Sequence, residues 1–200
     1  MRVRPFGPEA WIVDELDEPS AWAEALRAER VDGIRDIVPA ESSVVVRCTR
    51  SLAPSIGTHL SARPAAARSS DQRADVVIDV VYDGADLAEV AERNHADVDD
   101  VVAWHSQATY TVAFCGFSPG FAYLTGVDER LRLPRRERPR TVVPAGSVAI
   151  AAGYSAVYPS ASPGGWHLLG HTDAIVWDPH RDRPALLVPG TRVRFRAVAP

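Results

Sequence analysis

The chain has 200 residues, enough for one large domain or two small ones, each with a core of its own. Hydrophobic residues make up 46% and charged residues 24%, the balance of a soluble globular protein, and a formal net charge of -4 gives no electrostatic case for binding nucleic acid or an anionic membrane. All 22 basic residues are arginine, which excludes a Schiff-base lysine and the lysine of a Walker A phosphate loop within this chain.

The apolar run Ala10-Trp11-Ile12-Val13 reads as a first strand. Trp22, Ala25 and Leu26 recur at helical spacing behind Ser20, which with Ala23 and Glu24 approaches a capping pattern; Asp32-Gly33 stops that helix. Ile34, Ile37 and Val38, followed by the β-branched run 43–48, predict strand-turn-strand, and 54–62 predicts a second short helix. Residues 63–74, rich in Ala, Arg and Ser, read as a linker, and 76–82 as a strongly β-branched strand. The order β-α-β-β-α-β predicts a small α+β N-terminal domain over residues 1–78, built as a ferredoxin-like sandwich.

Residues 79–200 have a different texture. Asp86 to Arg93 is a helix with an acidic start and a basic end, and a second helix runs from Asp97 to about Ser106. Short strand-like runs follow at 110–114, 142–143, 147–151, 156–158, 166–169, 174–177 and 193–198, with Gly and Pro in almost every interval. That pattern predicts a mainly β, closed or nearly closed barrel behind an initial helical pair. Cys48 and Cys115 lie outside any metal or redox spacing and fit buried thiols of a reducing compartment. No signal peptide or span of apolar residues long enough for a bilayer is visible, so the expected location is the cytoplasm.

Four turn-rich clusters bear the chemistry. In Gly116-Phe117-Ser118-Pro119-Gly120-Phe121, glycines and a proline fix an unusual backbone path between aromatic rings, as a pocket loop requires. Pro134-Arg135-Arg136-Glu137-Arg138-Pro139-Arg140 gathers four arginines between and beside two prolines, and Val143-Pro144-Ala145-Gly146-Ser147 follows. In Ser162-Pro163-Gly164-Gly165-Trp166 paired glycines can turn backbone N–H groups toward an anion. Barrel turns need Gly and Pro whatever the function, and an arginine run also suits a solvated loop.

Taken together and in this order, these words resemble the family that includes the B subunit of 5-oxoprolinase, the sporulation-kinase inhibitor KipI and allophanate hydrolase subunit 1. The resemblance also rests on Tyr82-Asp83-Gly84-x-Asp86-Leu87, His105 with Tyr110, and Pro189-Gly190. It implies a cyclophilin-like barrel working beside a second, homologous barrel, the C subunit of 5-oxoprolinase, and a third component, the A subunit. The assembly it implies opens 5-oxo-L-proline to L-glutamate with hydrolysis of ATP, bound with Mg2+ by the complex; the KipI branch implies instead a histidine kinase as partner. A related pair forms the carboxyltransferase part of urea carboxylase. Two segments depart from the family pattern: the usual Gly-x-Gln-Thr-Gly-x-Tyr-Pro appears as Gly153-Tyr154-Ser155-Ala156-Val157-Tyr158-Pro159, and Gly-Arg-Thr as Gly170-His171-Thr172.

Within that frame Arg135 and Arg140 are the expected anion contacts, since guanidinium suits carboxylate and phosphate alike. Ser147 is expected among the catalytic groups, and it and Ser162 fit hydrogen-bond donors better than nucleophiles, because no nucleophile elbow surrounds either. His105 is open to two readings, an acid or base near neutral pH or a packed histidine at a domain seam. Phe117, Phe121 and Trp166 either wall a substrate pocket, with Pro119, Gly120, Gly164 and Gly165 shaping its loops, or fill the barrel. His167 and His171 are four apart, but no carboxylate or Cys completes a metal set, so no metal site is expected.

Overall fold

The apolar alternation at the start of the chain extends further than Ala10. In the computed structural model, which describes residues 1–62 and 75–199, strands β1 (Arg2–Pro5) and β2 (Ala10–Asp14) pair antiparallel, with Val3 opposite Val13. Helix α1 (Pro19–Ala28) follows with Pro at its first position, where a missing N–H costs nothing; Glu18, not Ser20, is its N-cap. Then come β3 (Ile34–Pro39), β4 (Val44–Cys48) and α2 (Ala53–Ser61). The sheet order is β1-β2-β4-β3, antiparallel throughout. Val13, Val44 and Val46 from the sheet meet Trp22, Leu26, Ile56 and Leu60 from the two helices in one buried core.

This is not the predicted ferredoxin-like sandwich. The strand expected beside β2, residues 76–82, instead belongs to the other sheet, and Arg2–Pro5 takes the edge position. The compact units run Met1–Gln72 and Arg73–Pro200, and a division after residue 78 would cut a strand of the second unit. The predicted linker, 63–74, lies outside the described residues.

The second unit contains β5 (Val76–Val80), α3 (Leu87–Arg93), α4 (Val98–Ser106), β6 (Tyr110–Cys115) and β7 (Ala122–Thr125), then β8 (Arg140–Val143), β9 (Ser147–Ala151), β10 (Tyr154–Val157), β11 (Ser162–Gly164), β12 (His167–His171) and β13 (Arg192–Ala197). Asp97 and Asp100 form a capping box at the start of α4. Two predicted runs fare differently: 174–177 is no strand, and Trp177 makes only an isolated bridge to Ala185, whereas Ala122–Thr125, read as part of a loop, is β7.

Seven strands form one mixed sheet in the order β12-β9-β10-β7-β6-β13-β5, with β13 and β5 parallel. Its two ends meet where Val81 and His171 exchange both backbone hydrogen bonds at 2.9 Å, which makes the sheet a nearly closed barrel. Gly170 allows that approach: a Cβ there would lie 2.2 Å from the Val81 carbonyl oxygen. Every residue of β9 is buried, because its two faces serve two cores. Val148 and Ile150 point into the main core with Val80, Tyr110, Leu124, Leu169 and Phe195, to which α3 and α4 add Val90 and Val101. Ala149 and Ala151 point the other way, into a smaller core of Phe121, Val143, Tyr158 and Trp166 beneath the two-stranded β8–β11 sheet.

Candidate functional site

The small outer core brings most of the predicted loops together. Phe121 is its hub, meeting Phe117, Tyr158 and Trp166 edge to face with ring centroids 5.3, 5.2 and 5.5 Å apart. Such T-shaped contacts suit ring quadrupoles and fill space completely. Phe121 and Trp166 are therefore packed, 2% and 4% exposed, and they fill the structure instead of walling a pocket. Phe117 alone among these rings is 62% exposed, held out by a left-handed backbone with φ of 71°. Gly120, at φ 83°, sits against Trp177 and Pro159, and Pro119 beside it is exposed.

Strands β8 and β11 set the polar rim. Gly164 pairs with Arg140 and Ser162 with Val143, while Gly165 accepts a hydrogen bond from the Arg136 backbone N–H at 2.8 Å and packs near Pro139. Ser147, 5% exposed at the start of β9, accepts the Tyr158 N–H at 2.9 Å through its carbonyl. The Oγ atoms of Ser118 and Ser162 are buried and, among the described residues, have no hydrogen-bond partner.

Two residues that the sequence reading did not single out organise this region. The first is Asp86, 2% exposed, whose carboxylate accepts two bonds from Arg140 at 2.9 and 2.7 Å, one from Arg136 and one from the Leu168 N–H at 2.8 Å. Burial pushes its pKa up, but the Arg140 hydrogen bonds, the Leu168 N–H and the two guanidinium charges outweigh that and hold it below the usual carboxylate range. Arg136 also reaches Glu89 at 3.0 Å. Arg140, expected to contact an anionic substrate, thus has its anion inside the protein already. Arg135 is exposed and free of that clamp.

The second is Tyr158, 2% exposed, its hydroxyl against Gly164. Burial pushes the phenol above its ordinary value, while the charges of Arg135 and Arg140 pull the other way; the net is upward, so the group is a neutral donor. A Cβ on Gly164 would fall 2.3 Å from the Tyr158 oxygen. Gly164→Ala is therefore expected to displace the ring, destabilising the fold by about 1–3 kcal/mol, as overpacking does; an unchanged thermal midpoint would mean that the hydroxyl has room to spare.

His105 lies elsewhere. It is fully buried in the barrel interior, stacked on Phe195 with centroids 4.6 Å apart. Ser155 Oγ donates to the Ala149 carbonyl at 3.3 Å and so accepts from His105 Nε2–H at 2.9 Å, which leaves Nδ1 to accept the Tyr82 hydroxyl at 2.7 Å. Burial lowers its pKa to about 3. Both nitrogens are occupied and the ring is neutral, so it is the packed histidine of the two readings, not an acid or base open to substrate. His167 and His171 also separate: a bulge between Leu168 and Gly170 breaks the strand period, so His167 is buried, bonded to the Pro134 carbonyl at 2.9 Å, while His171 is exposed and bonded to Asp83 at 2.8 Å. Among the described residues no three His, Cys, Asp or Glu side chains are grouped to hold a metal ion, and no helix is long and apolar enough to cross a membrane.

Known proteins resemble this chain in sequence and in fold. Over 123 residues, 60% of this chain, the sequence is 51% identical to the B subunit of 5-oxoprolinase from Escherichia coli O157:H7 and covers 56% of that protein. Across the curated relatives it matches, the aligned stretch spans 47% to 61% of their length. The crystal structure of TTHA0988 matches all of this chain with a TM-score of 0.85 and 36% identity, and this chain covers 41% of it. The urea carboxylase of Kluyveromyces lactis, 20% identical, shares the fold over 98% of this chain and 22% of its own, with a TM-score of 0.72. The model of the carboxyltransferase domain, subdomain C and D, matches residues 1–187, and the chain belongs to that family.

Proposed function

We propose that this chain acts as the B subunit of an ATP-dependent 5-oxoprolinase, an amide hydrolase that opens 5-oxo-L-proline to L-glutamate, and that it works only beside the A and C subunits. One observation carries the reading beyond sequence likeness: the loops at 116–121, 134–140 and 158–166 meet on one face, around Phe121 and Tyr158. Opening the lactam ring puts negative charge on the amide oxygen. Arg135 and the neutral Tyr158 hydroxyl are donors of the kind such an oxygen needs, and the unpartnered hydroxyls of Ser118 and Ser162 lie in two of the same loops. Arg140 and Asp86 position the rim. Phe117, exposed at its edge, faces the partner, and Pro119, Gly120, Gly164 and Gly165 fix the loop paths.

ATP and Mg2+ belong, in this reading, to the assembled enzyme, in its cytoplasmic setting. This chain has no lysine, so any side-chain cation it offers the nucleotide's phosphates is an arginine. Co-expression with the A and C subunits is expected to give ADP release dependent on 5-oxoproline. Arg135→Ala should lower kcat/KM by about 10- to 100-fold while leaving the thermal midpoint in place, since the side chain is exposed. A complete set of subunits that releases no ADP would remove the assignment.

A further inference from the structure

The seam of the barrel is closed at one end only. Strand β5 turns the backbone groups of its even residues toward β13, as the Val80 carbonyl shows by accepting the Val198 N–H at 3.0 Å. By the alternation of a regular strand, Val77, Asp79 and Val81 turn theirs the other way. Val81 uses both on His171, at 2.9 Å each. There β12 ends, and the chain bends aside: the Thr172 N–H goes to the Gly146 carbonyl at 2.9 Å and the Ala174 N–H to Thr172 Oγ1 at 3.1 Å. Val77 and Asp79 are left facing a slot of about 670 Å³, walled by β5 on one side and residues 171–174 on the other.

Among the described residues, this edge lacks several of the devices that usually protect one. Val76–Val80 contains no proline and, in its ladder to β13, no bulge; its one charge, Asp79, is held by Arg196 at 2.6 and 2.8 Å. Val77 is 49% exposed and Val198, at the slot's end, 38%. The carboxylate on the far side, Asp173, has no arginine partner among the described contacts. The slot therefore combines main-chain donors and acceptors at strand spacing, an apolar lining and uncompensated negative charge. In TTHA0988, moreover, the matched fold is 41% of the chain, so the same fold there is joined to a larger amount of further polypeptide.

We propose that this slot receives an extended strand of a partner polypeptide, with a cationic side chain opposite Asp173, that pairs main chain to main chain with Val77 and Asp79 and completes the barrel wall. The proposal is independent of the reaction assigned above.

The probe is a blocked pentapeptide alternating valine with arginine, titrated into the full chain while backbone amide resonances are followed. Saturable shifts are expected at Val77, Asp79 and residues 172–174. N-methylation of the peptide's inward amides should weaken binding about tenfold, because it removes the ladder donors and leaves the side chains in place. Val77→Pro should do the same, since that N–H points away from β13 and its loss leaves the existing ladder intact. Exchanging the peptide's arginines for glutamates should also weaken it. The proposal is overturned if Val77 and Asp79 do not move at millimolar peptide, if N-methylation has no effect, or if sedimentation shows a second copy of the chain paired along this edge.

Discussion

Asp86→Ala is expected to cost about 3–5 kcal/mol, the loss typical of removing one member of a buried ion pair. The wild-type carboxylate satisfies Arg140, Arg136 and the Leu168 N–H at once. Its removal strands Arg140, leaves Arg136 with Glu89 alone, the two side chains being only 25% and 26% exposed, and orphans a buried N–H on β12. Asp86 stands at the N-cap of α3 yet makes no cap hydrogen bond, so the effect cannot be assigned to a frayed helix. The same carboxylate has a depressed folded pKa, so its contribution is complete above the ordinary carboxylate range and is lost as pH falls through the lowered value. Urea unfolding at neutral pH and again in acid would check both statements: the gap between wild type and Asp86→Ala should narrow as the medium becomes acid. Equal urea midpoints at neutral pH would show that the two arginines find other partners.

Much of the barrel was legible in the sequence because its determinants are local. Gly and Pro punctuation marked the strands, and Ser147–Ala151 and Tyr110–Cys115 lie where β-branched and aromatic runs put them. What was not legible depends on partners distant in sequence. Val76–Val80 has the same apolar pattern whether it lies beside Ala10–Asp14 or Arg192–Ala197, and only the tertiary choice of β13 decides between them. Ser162–Gly164 contains a proline, so it reads as a loop; an edge position in the two-stranded sheet tolerates it. At the candidate site the aromatic rings were found but their exposure was not, since burial of Phe121 and Trp166 depends on Tyr158 and Tyr123 packing across them. Arg140 looked free because its partner Asp86 lies 54 residues earlier. The signal existed all the same: Asp86 sits in the Tyr-Asp-Gly-x-Asp-Leu word and Tyr158 in the departing Tyr-Pro segment, and an acidic residue between alanine and leucine invites the question of which arginine it meets.

His105 gives the second large effect, and its sign is opposite to that of a histidine in an ion pair. In the unfolded chain it binds a proton as pH falls below its ordinary value of 6.5; in the folded chain burial holds it neutral down to about 3. Above 6.5 neither state is protonated at this residue, so its contribution to stability there is flat. Between those two values the unfolded state alone takes up the proton, so stability is expected to decline by several kcal/mol as the medium becomes more acid. His105→Gln can still reach Tyr82 or Ser155 but cannot titrate, so it should begin less stable at neutral pH and lose less on acidification. The two unfolding free energies are expected to converge toward pH 4, with carboxylates such as Asp86 governing what remains. Direct observation is available as well: the imidazole carbon resonance of His105 should stay unchanged from pH 8 to 5 in the folded protein, fixed in the tautomer that donates to Ser155 and accepts from Tyr82. An imidazole that titrates near 6.5 in the folded state would mean that water reaches the barrel interior, and it would return His105 to the acid-base candidates that its burial now excludes.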